Sequence, residues 1–141
     1  MDVRAYQPSD YTGVLALEGQ CFDQRSAPQY MELYLSSPRH FFVACEDGVV
    51  VGYVSGRVEG NLGRLISVGV DPAYRGGGIG TVLVERFIGS LPVGLPWLAL
   101  EVRVGNVAAQ RLYNKFGFRV GQMLPRYYLN GEDGLLMLRP R

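Results

Sequence analysis

Apolar and polar positions alternate along the chain with two periods, one typical of strands and one typical of amphipathic helices. The first segment, DVRAY, alternates as a strand does, and the residues from Pro8 to Asp10 place a proline and an acid where a helix begins. Apolar residues near helical spacing follow at Tyr11, Val14, Leu15 and Phe22. A second helix is predicted from Pro28 to Ser36, and the runs FFVACE and VVVGYVSGRV, joined by Asp47-Gly48, predict a hairpin.

The second half of the chain continues the same alternation of strands and helices. The strand LISVGV leads into a glycine cluster, and apolar residues at helical spacing then predict a helix, at Ile79, Val82, Leu83 and Phe87. Another strand, PWLALEVRV, precedes Asn106, a residue type that caps helices, and Gly117 ends the helix. Its predicted buried stripe is Ala109, Leu112, Tyr113 and Phe116. Two last strands, FRVGQM and GLLMLR, complete one α/β domain over residues 1–141 with a central mixed sheet.

Composition and charge narrow the class of protein. The chain has 141 residues, 48% of them hydrophobic, which is enough for one domain with a sizeable core. Fourteen basic residues nearly balance thirteen acidic ones, so the net charge does not favour binding to nucleic acid or to anionic membranes. Cys21 and Cys45 lack paired spacing and are expected to be reduced core residues. No signal-peptide pattern and no apolar run of about 18 residues is present, so a cytoplasmic location is expected.

The stretch VDPAYRGGGIG, residues 70 to 80, carries the strongest chemical signal in the sequence. Small residues between a strand and a helix leave backbone N–H groups unshielded, and the helix dipole adds partial positive charge, so phosphate is the expected ligand. Arg75 adds a full charge next to them. A tight turn that merely needs positive φ is the alternative, but one or two glycines would satisfy it, and the stretch has four.

Two other phosphate-binding motifs fit the stretch less well. A P-loop requires a lysine after its last glycine, whereas Thr81 follows Gly80 here. The dinucleotide fingerprint requires a third glycine at position 81, although Glu101 lies near the distance at which that motif places its ribose carboxylate. A dinucleotide-binding module therefore stays an alternative.

The glycine stretch resembles the acetyl-coenzyme A loop of the GNAT superfamily of N-acetyltransferases. Arg75, Gly78 and Gly80 occupy the positions of its signature, which is Arg or Gln, two residues, Gly, any residue, then Gly or Ala. A second block, LEVRVGNVAAQRLYNKFGF from Leu100 to Phe118, and the late segment PRYYLNGEDGLLM resemble the ribosomal-protein-alanine and archaeal protein N-terminal acetyltransferases. The resemblance implies a mostly antiparallel mixed sheet of about seven strands, flanked by about four helices.

Two residues are candidates for proton transfer in that reaction. Glu101 is a carboxylate within the apolar strand WLALEV; partial burial would raise its pKa toward a range useful for a general base, and a solvent-facing strand position is the alternative. Tyr113 has a hydroxyl that could protonate a departing thiolate, and a core tyrosine is the alternative. In the family the matching residues act as base and acid, with the same separation of 12 residues that this chain has.

The resemblance also implies which residues hold the two substrates. The implied coenzyme site consists of Val68, Gly69, Val70, Arg75, Gly76, Gly77, Gly78, Ile79, Gly80, Thr81 and Asn106. The strand residues would pair with the pantetheine arm and supply an oxyanion hole, and the glycines would wrap the pyrophosphate. The implied acceptor groove is lined by Phe22, Ile66, Tyr127 and Tyr128.

Two positions depart from the family pattern. Position 77 is commonly basic in the family and is glycine here, which removes one expected phosphate contact. The segment from Cys21 to Pro28 has little likeness to the corresponding wall of some relatives, so the preferred first residue of the acceptor stays open.

The resemblance implies a direct transfer of acetyl from acetyl-CoA to the N-terminal α-amine of a protein, for example a ribosomal protein. No covalent enzyme intermediate and no metal are expected, and the coenzyme would lie where the strands LISVGV and WLALEV splay. A lysine side chain or a small-molecule amine is an alternative acceptor. A non-catalytic acetyl-CoA-binding module is another alternative, although it would be expected to lack the carboxylate and the tyrosine. The chain is expected to be a monomer or a weak homodimer without nucleic-acid or membrane partners.

Overall fold

The computed structural model of the chain describes residues 1–22 and 27–141. These residues contain seven strands and four α-helices, as the resemblance implied. The strands are β1 (Asp2–Ala5), β2 (Phe41–Glu46), β3 (Val49–Glu59), β4 (Leu62–Val70), β5 (Trp97–Arg103), β6 (Arg119–Leu124) and β7 (Gly134–Pro140). The helices are α1 (Tyr11–Cys21), α2 (Ala27–Leu35), α3 (Ile79–Ser90) and α4 (Val107–Lys115).

The strands form one mixed sheet in the order β1-β2-β3-β4-β5-β7-β6. The pairs β1–β2, β2–β3, β5–β7 and β6–β7 are antiparallel, and β4–β5 is parallel. The register of β4 with β5 runs from Leu62 opposite Trp97 to Leu65 opposite Leu100. The predicted fold class, an α/β arrangement around a mixed and mostly antiparallel sheet, is therefore confirmed.

The chain divides into two compact units. The first unit consists of Met1–Arg57 and Ile66–Leu91, and the second unit consists of Val58–Leu65 and Pro92–Arg141. None of the helices among the described residues is long and apolar enough to cross a membrane.

The core of the first unit packs α1 and α2 against β2 and β3. Its buried members are Val14, Leu17, Met31, Tyr34, Phe41, Val43, Cys45 and Tyr53. The sequence pattern predicted the wrong face for part of α1: the helix buries Val14, Leu17 and Glu18, whereas Tyr11 and Phe22 are exposed. Tyr11 is the first residue of α1, after a 3-10 turn at Pro8–Asp10, and Phe22 is its C-cap, so both exposed residues lie at the ends of the helix.

The buried Glu18 was not predicted, and it forms the centre of a polar cluster in the first unit. The hydroxyls of Tyr34 and Tyr53 both donate hydrogen bonds to its carboxylate, and the hydroxyl of Tyr53 lies 3.1 Å from that of Ser67 on β4. Burial raises the pKa of Glu18, although the hydrogen bonds from Tyr34 and Tyr53 lower it. The net effect in the folded chain is that Glu18 binds a proton more readily than a carboxyl in water.

This shift predicts how stability depends on pH. Because the pKa of Glu18 is raised on folding, its stabilising contribution is complete below the unfolded pKa of about 4.3 and is lost as pH rises through the folded value. Glu18→Gln removes this titration, so the free energy of unfolding of the variant should gain on that of wild type as pH rises from about 4 to 7. Denaturant unfolding at several pH values measures the difference.

The control for these unfolding measurements replaces a solvent-exposed carboxylate instead of a buried one. Glu32→Gln lies on the exposed face of α2 and reports the effect of the charge change alone. A difference between Glu18→Gln and wild type that stays constant over this pH range would contradict the assignment.

The second unit contains α4, β5, β6 and β7 together with the first residues of β4. Its buried hydrophobic residues are Leu65, Leu98, Ala99, Leu100, Val102, Tyr113, Phe118 and Met137. Of the predicted stripe on α4, Tyr113 is buried, and Ala109, Leu112 and Phe116 are half-buried. Gly117 has φ of +87° and follows the helix, and the backbone N–H of Phe118 donates to the carbonyl of Tyr113. The predicted helix end at this glycine is therefore confirmed.

Candidate active site

The predicted coenzyme loop joins β4 to α3 within the first unit. The chain leaves β4 through Asp71, whose carboxylate accepts a hydrogen bond from the backbone N–H of Ala73 at 2.9 Å. Gly76 and Gly78 then have φ values of +85° and +86°, which favour glycine, and an added Cβ at either position would meet open space. Backbone conformation therefore accounts for two of the four glycines, and open space lies around both.

The start of α3 has the features of an anion site. Gly78 is the N-cap and has no side chain with which to accept from the first N–H groups of the helix. The helix is 12 residues long, so its dipole adds partial positive charge at this end. These residues fit a phosphate group, because they combine unshielded donors, positive potential and open space.

Arg75 lies at the base of this loop and contacts two neighbouring segments. Its Nε donates to the carbonyl of Val70 at 3.0 Å, and one terminal nitrogen lies 3.6 Å from Sγ of Cys21 at the end of α1. Burial raises the pKa of the Cys21 thiol, although Arg75 lowers it, so the thiol is protonated at neutral pH. Cys21 and Cys45 are both free thiols, as predicted.

Buried and half-buried residues alternate at the end of β4, where the resemblance implies contact with the pantetheine arm. Ser67 and Gly69 are buried, whereas Ile66, Val68 and Val70 are half-buried. A Cβ at Gly69 would lie 2.5 Å from the ring of Tyr53, so only glycine fits there. The position of these strand residues is thus clear, and their contact with a coenzyme stays a prediction.

Glu101 lies on β5 in the second unit and has a partner that the sequence did not indicate. Its side chain is 23% exposed, which agrees with the predicted partial burial, but its carboxylate forms an ion pair with Arg64 on β4. Nε of Arg64 also donates to Glu59 at 3.0 Å. The predicted partial burial is therefore confirmed, and the sequence did not indicate the charged partner.

Arg64 is the charged partner of Glu101. Burial lowers the pKa of Arg64, but its bond to Glu59 and the charge of Glu101 raise it above its ordinary value, so the guanidinium stays charged. The carboxylate of Glu101 therefore lies next to a charged guanidinium that also contacts Glu59.

Tyr113 lies on α4 and is 6% exposed. Its ring packs edge-on against Phe118 at 6.2 Å between centroids. Burial raises the pKa of its hydroxyl, and Tyr128 raises it further, so the hydroxyl keeps its proton at neutral pH. The core position is confirmed, and a protonated hydroxyl is also what a general acid needs.

Asn106 caps α4, since its side-chain oxygen accepts a hydrogen bond from the backbone N–H of Ala109 at 3.2 Å. The predicted N-cap is confirmed, and the implied contact with the coenzyme arm stays a prediction.

The residues implied for the acceptor groove belong to both units. In the second unit Tyr127 is 52% exposed and Tyr128 is half-buried, and their rings meet edge to face at 5.1 Å. In the first unit Phe22 is 47% exposed, and Ile66 packs against the core. Residues 23–26, part of the segment on which the acceptor preference depends, lie outside the described residues.

Metal ligands do not gather anywhere in the described part of the chain: no group of three or more His, Cys, Asp or Glu side chains could hold a metal ion there.

The chain is similar to known N-acetyltransferases in sequence and in fold. An uncharacterized N-acetyltransferase of Methanocaldococcus jannaschii is 36% identical over 100% of this chain and 92% of its own length. The N-alpha-acetyltransferase RimI of Mycobacterium tuberculosis is 36% identical over 87% of this chain and 82% of its own. The crystal structure of the ribosomal-protein-S18-alanine N-acetyltransferase from Escherichia coli superposes with a TM-score of 0.83 and 27% identity, over 99% of this chain and 92% of that one.

The model of the acetyltransferase (GNAT) family matches residues 8–118, which include the coenzyme loop, Glu101 and Tyr113. The match and the relatives confirm the resemblance on which the predicted enzyme class rests. The chain therefore belongs to the GNAT family of acetyltransferases and is an N-acetyltransferase.

Proposed function

We propose that this enzyme transfers acetyl from acetyl-CoA to the N-terminal α-amine of a protein, by direct attack of the amine on the thioester. The observation that carries the proposal is the bare loop at the start of α3, where Gly76 and Gly78 combine positive φ with open space. The relative from Mycobacterium tuberculosis, an N-alpha-acetyltransferase by name, supports the choice of acceptor. Residues 1–141 would act as one N-acetyltransferase domain.

The coenzyme would be held by backbone more than by side chains. The N–H groups from Gly76 to Thr81 would donate to the pyrophosphate, with Arg75 adding charge. The backbone from Val68 to Val70 would pair with the pantetheine arm and stabilise the oxyanion that forms on the thioester carbonyl. Asn106 would contact the arm in addition to capping α4.

The chemistry requires two proton transfers. The amine nitrogen forms a bond to the acetyl carbon while the bond from that carbon to sulfur breaks. The proton lost by the amine passes to the carboxylate of Glu101, directly or through a water molecule, and the leaving thiolate takes a proton from the hydroxyl of Tyr113. No covalent intermediate with the enzyme is needed, and exchange with solvent then restores both side chains.

The α-amine is the favoured acceptor for a chemical reason. Its pKa is about 7.7 to 8.0, whereas that of a lysine side chain is about 10.4, so far more of it is unprotonated at neutral pH. Tyr127, Tyr128, Phe22 and Ile66 would line the acceptor groove. A lysine or small amine is the second candidate, and a binding module without catalysis is disfavoured because Glu101 and Tyr113 are both present.

The proposal is tested by incubating the protein with labelled acetyl-CoA and a library of peptides that differ in their first residue. Label on the α-amine of a subset of peptides supports it and also identifies the preferred first residue. A library without any label, measured with a protein that binds acetyl-CoA, would favour the non-catalytic alternative.

The coenzyme loop yields a prediction of its own. Gly78→Val should weaken acetyl-CoA binding by about tenfold or more, because the side chain fills the space at the helix start and costs at least one hydrogen bond to phosphate. Calorimetric titration measures the affinity.

Gly48→Val is the matched control for backbone strain. Gly48 also has positive φ, +79°, and also has open space around an added Cβ, but it lies in the β2–β3 hairpin. The control should lose similar stability, about 1–2 kcal/mol, and keep its affinity. Equal affinities in the two folded variants would contradict the loop assignment.

A further inference from the structure

The loop between β6 and β7, residues 125–133, carries Tyr127 and Tyr128 and contacts Arg103 on β5. We propose that Arg103 is a positioning residue for the acceptor: its contacts with Glu132 and Tyr128 hold this loop in the conformation that receives the N-terminal segment of the acceptor protein. The inference rests on the proposed function, because it assigns Tyr127 and Tyr128 to the acceptor groove.

The loop is organised around Glu132. Its backbone carbonyl accepts from the N–H of Tyr128 at 3.2 Å, and its own N–H donates to the side chain of Asn130 at 3.0 Å. One carboxylate oxygen accepts from the N–H of Gly105 at 3.2 Å, and the other accepts from Arg103 at 3.0 Å. Glu132 therefore supplies two contacts between the loop and the end of β5, next to a backbone hydrogen bond from the N–H of Val104 to the carbonyl of Asp133 at 3.1 Å.

Arg103 adds a contact that fixes the aromatic residue directly. The central carbon of its guanidinium lies 3.9 Å from the centroid of the Tyr128 ring, and the same group donates to Asn130 at 3.2 Å. A planar guanidinium can stack on a ring and pair with a carboxylate at the same time, which an ammonium group does less well. The ring of Tyr128 packs edge to face against that of Tyr127, so a fixed Tyr128 also restricts the more exposed ring of Tyr127.

Arg103 and its contacts with the loop lie near Glu101, the proposed base, because both residues are on β5. Glu101 and Arg103 are two residues apart on one strand, so their side chains project from the same face. Both are half-buried, whereas Leu100 and Val102 between and beside them are buried. The same face of β5 thus carries Glu101, the proposed base, and Arg103, the residue that orders the β6–β7 loop.

An ordered loop lowers the cost of binding the acceptor. If the contacts of Arg103 with Glu132 and Tyr128 are removed, the loop must be ordered when the peptide binds, and the affinity for the peptide falls. The coenzyme loop lies on other elements, β4 and α3, so the KM for acetyl-CoA should not change. The turnover at saturating acceptor should also be kept, because neither proton-transfer residue is altered.

The test compares Arg103→Met and Arg103→Lys with wild type, using a peptide that wild type acetylates. Arg103→Met should raise the KM for the peptide about tenfold, with kcat and the KM for acetyl-CoA within about twofold of wild type. Arg103→Lys should lie between them, because it keeps the ion pair and weakens the stacking. Glu132→Gln combined with Arg103→Met should add less than the two single changes together, because both remove one contact.

Arg119→Met is the matched control, since Arg119 donates to the carbonyls of Asn114 and Phe118 and has no contact in this loop. It should leave all three kinetic constants unchanged. Hydrogen exchange adds a readout independent of activity: the amides of Tyr128 and Gly131 should exchange faster in Arg103→Met only.

The outcomes separate the two proposals. A peptide KM in Arg103→Met equal to that of wild type would overturn this inference alone. An equal rise in both KM values would also overturn it, because general destabilisation would explain it. A wild-type protein that acetylates no peptide α-amine would overturn the proposed function and this inference with it.

Discussion

Glu101→Gln is expected to lower the rate of acetyl transfer at pH 7 by about 10²-fold or more. Glutamine keeps the shape of the side chain but cannot accept the proton that the attacking amine must lose. The rate should recover in part as pH rises toward 9, because an α-amine with a pKa of about 8 then loses its proton to solvent. Steady-state rates across this range, at saturating acetyl-CoA, measure the effect.

Glu59→Gln is the control for the charge of the ion-pair network. It removes a carboxylate that contacts Arg64 but leaves the pair of Arg64 with Glu101. It should keep most of the wild-type rate. A full rate in Glu101→Gln at pH 7 would place the base at another residue.

Tyr113→Phe is expected to lower turnover by about 10²-fold while coenzyme affinity and stability stay nearly intact. Only one oxygen is lost from a buried ring whose packing against Phe118 is unchanged. If the hydroxyl protonates the leaving thiolate, a donor thioester whose thiol has a lower pKa needs less help. The defect should therefore shrink with that donor, as single-turnover rates would show.

Tyr30→Phe removes a hydroxyl from an exposed position on α2 and serves as the control. An unchanged turnover in Tyr113→Phe would leave the residue as part of the core alone. A defect of equal size with both donors, when chemistry limits the rate, would make Tyr113 a positioning residue instead of an acid.

Local patterns in the sequence were sufficient to predict the elements that form the coenzyme loop. The alternation in LISVGV predicts β4, the bare residues after it predict a loop, and the period of Ile79, Leu83 and Phe87 predicts α3. Each of these features depends on residues close together in the chain. The caps at Asn106 and Gly117 were predictable for the same reason.

Contacts between distant residues could not be predicted in this way. Arg64 and Glu101 are 37 residues apart, and only the parallel pairing of β4 with β5 brings them together. The cluster around Glu18 joins α1, α2, β3 and β4, and no period in the sequence indicates a buried carboxylate on α1. The contact of Arg103 with Tyr128 likewise depends on how a loop folds back on a strand.

A protein α-amine can be distinguished from a lysine side chain as the acceptor with one pair of peptides. The two peptides share one sequence with a single internal lysine, and one has a free N-terminus while the other has a blocked one. With acetyl-CoA, we expect one acetyl group on the free peptide, located on its α-amine by fragment mass spectrometry, and none on the blocked peptide. Acetylation of the lysine at equal rates in both peptides would contradict it.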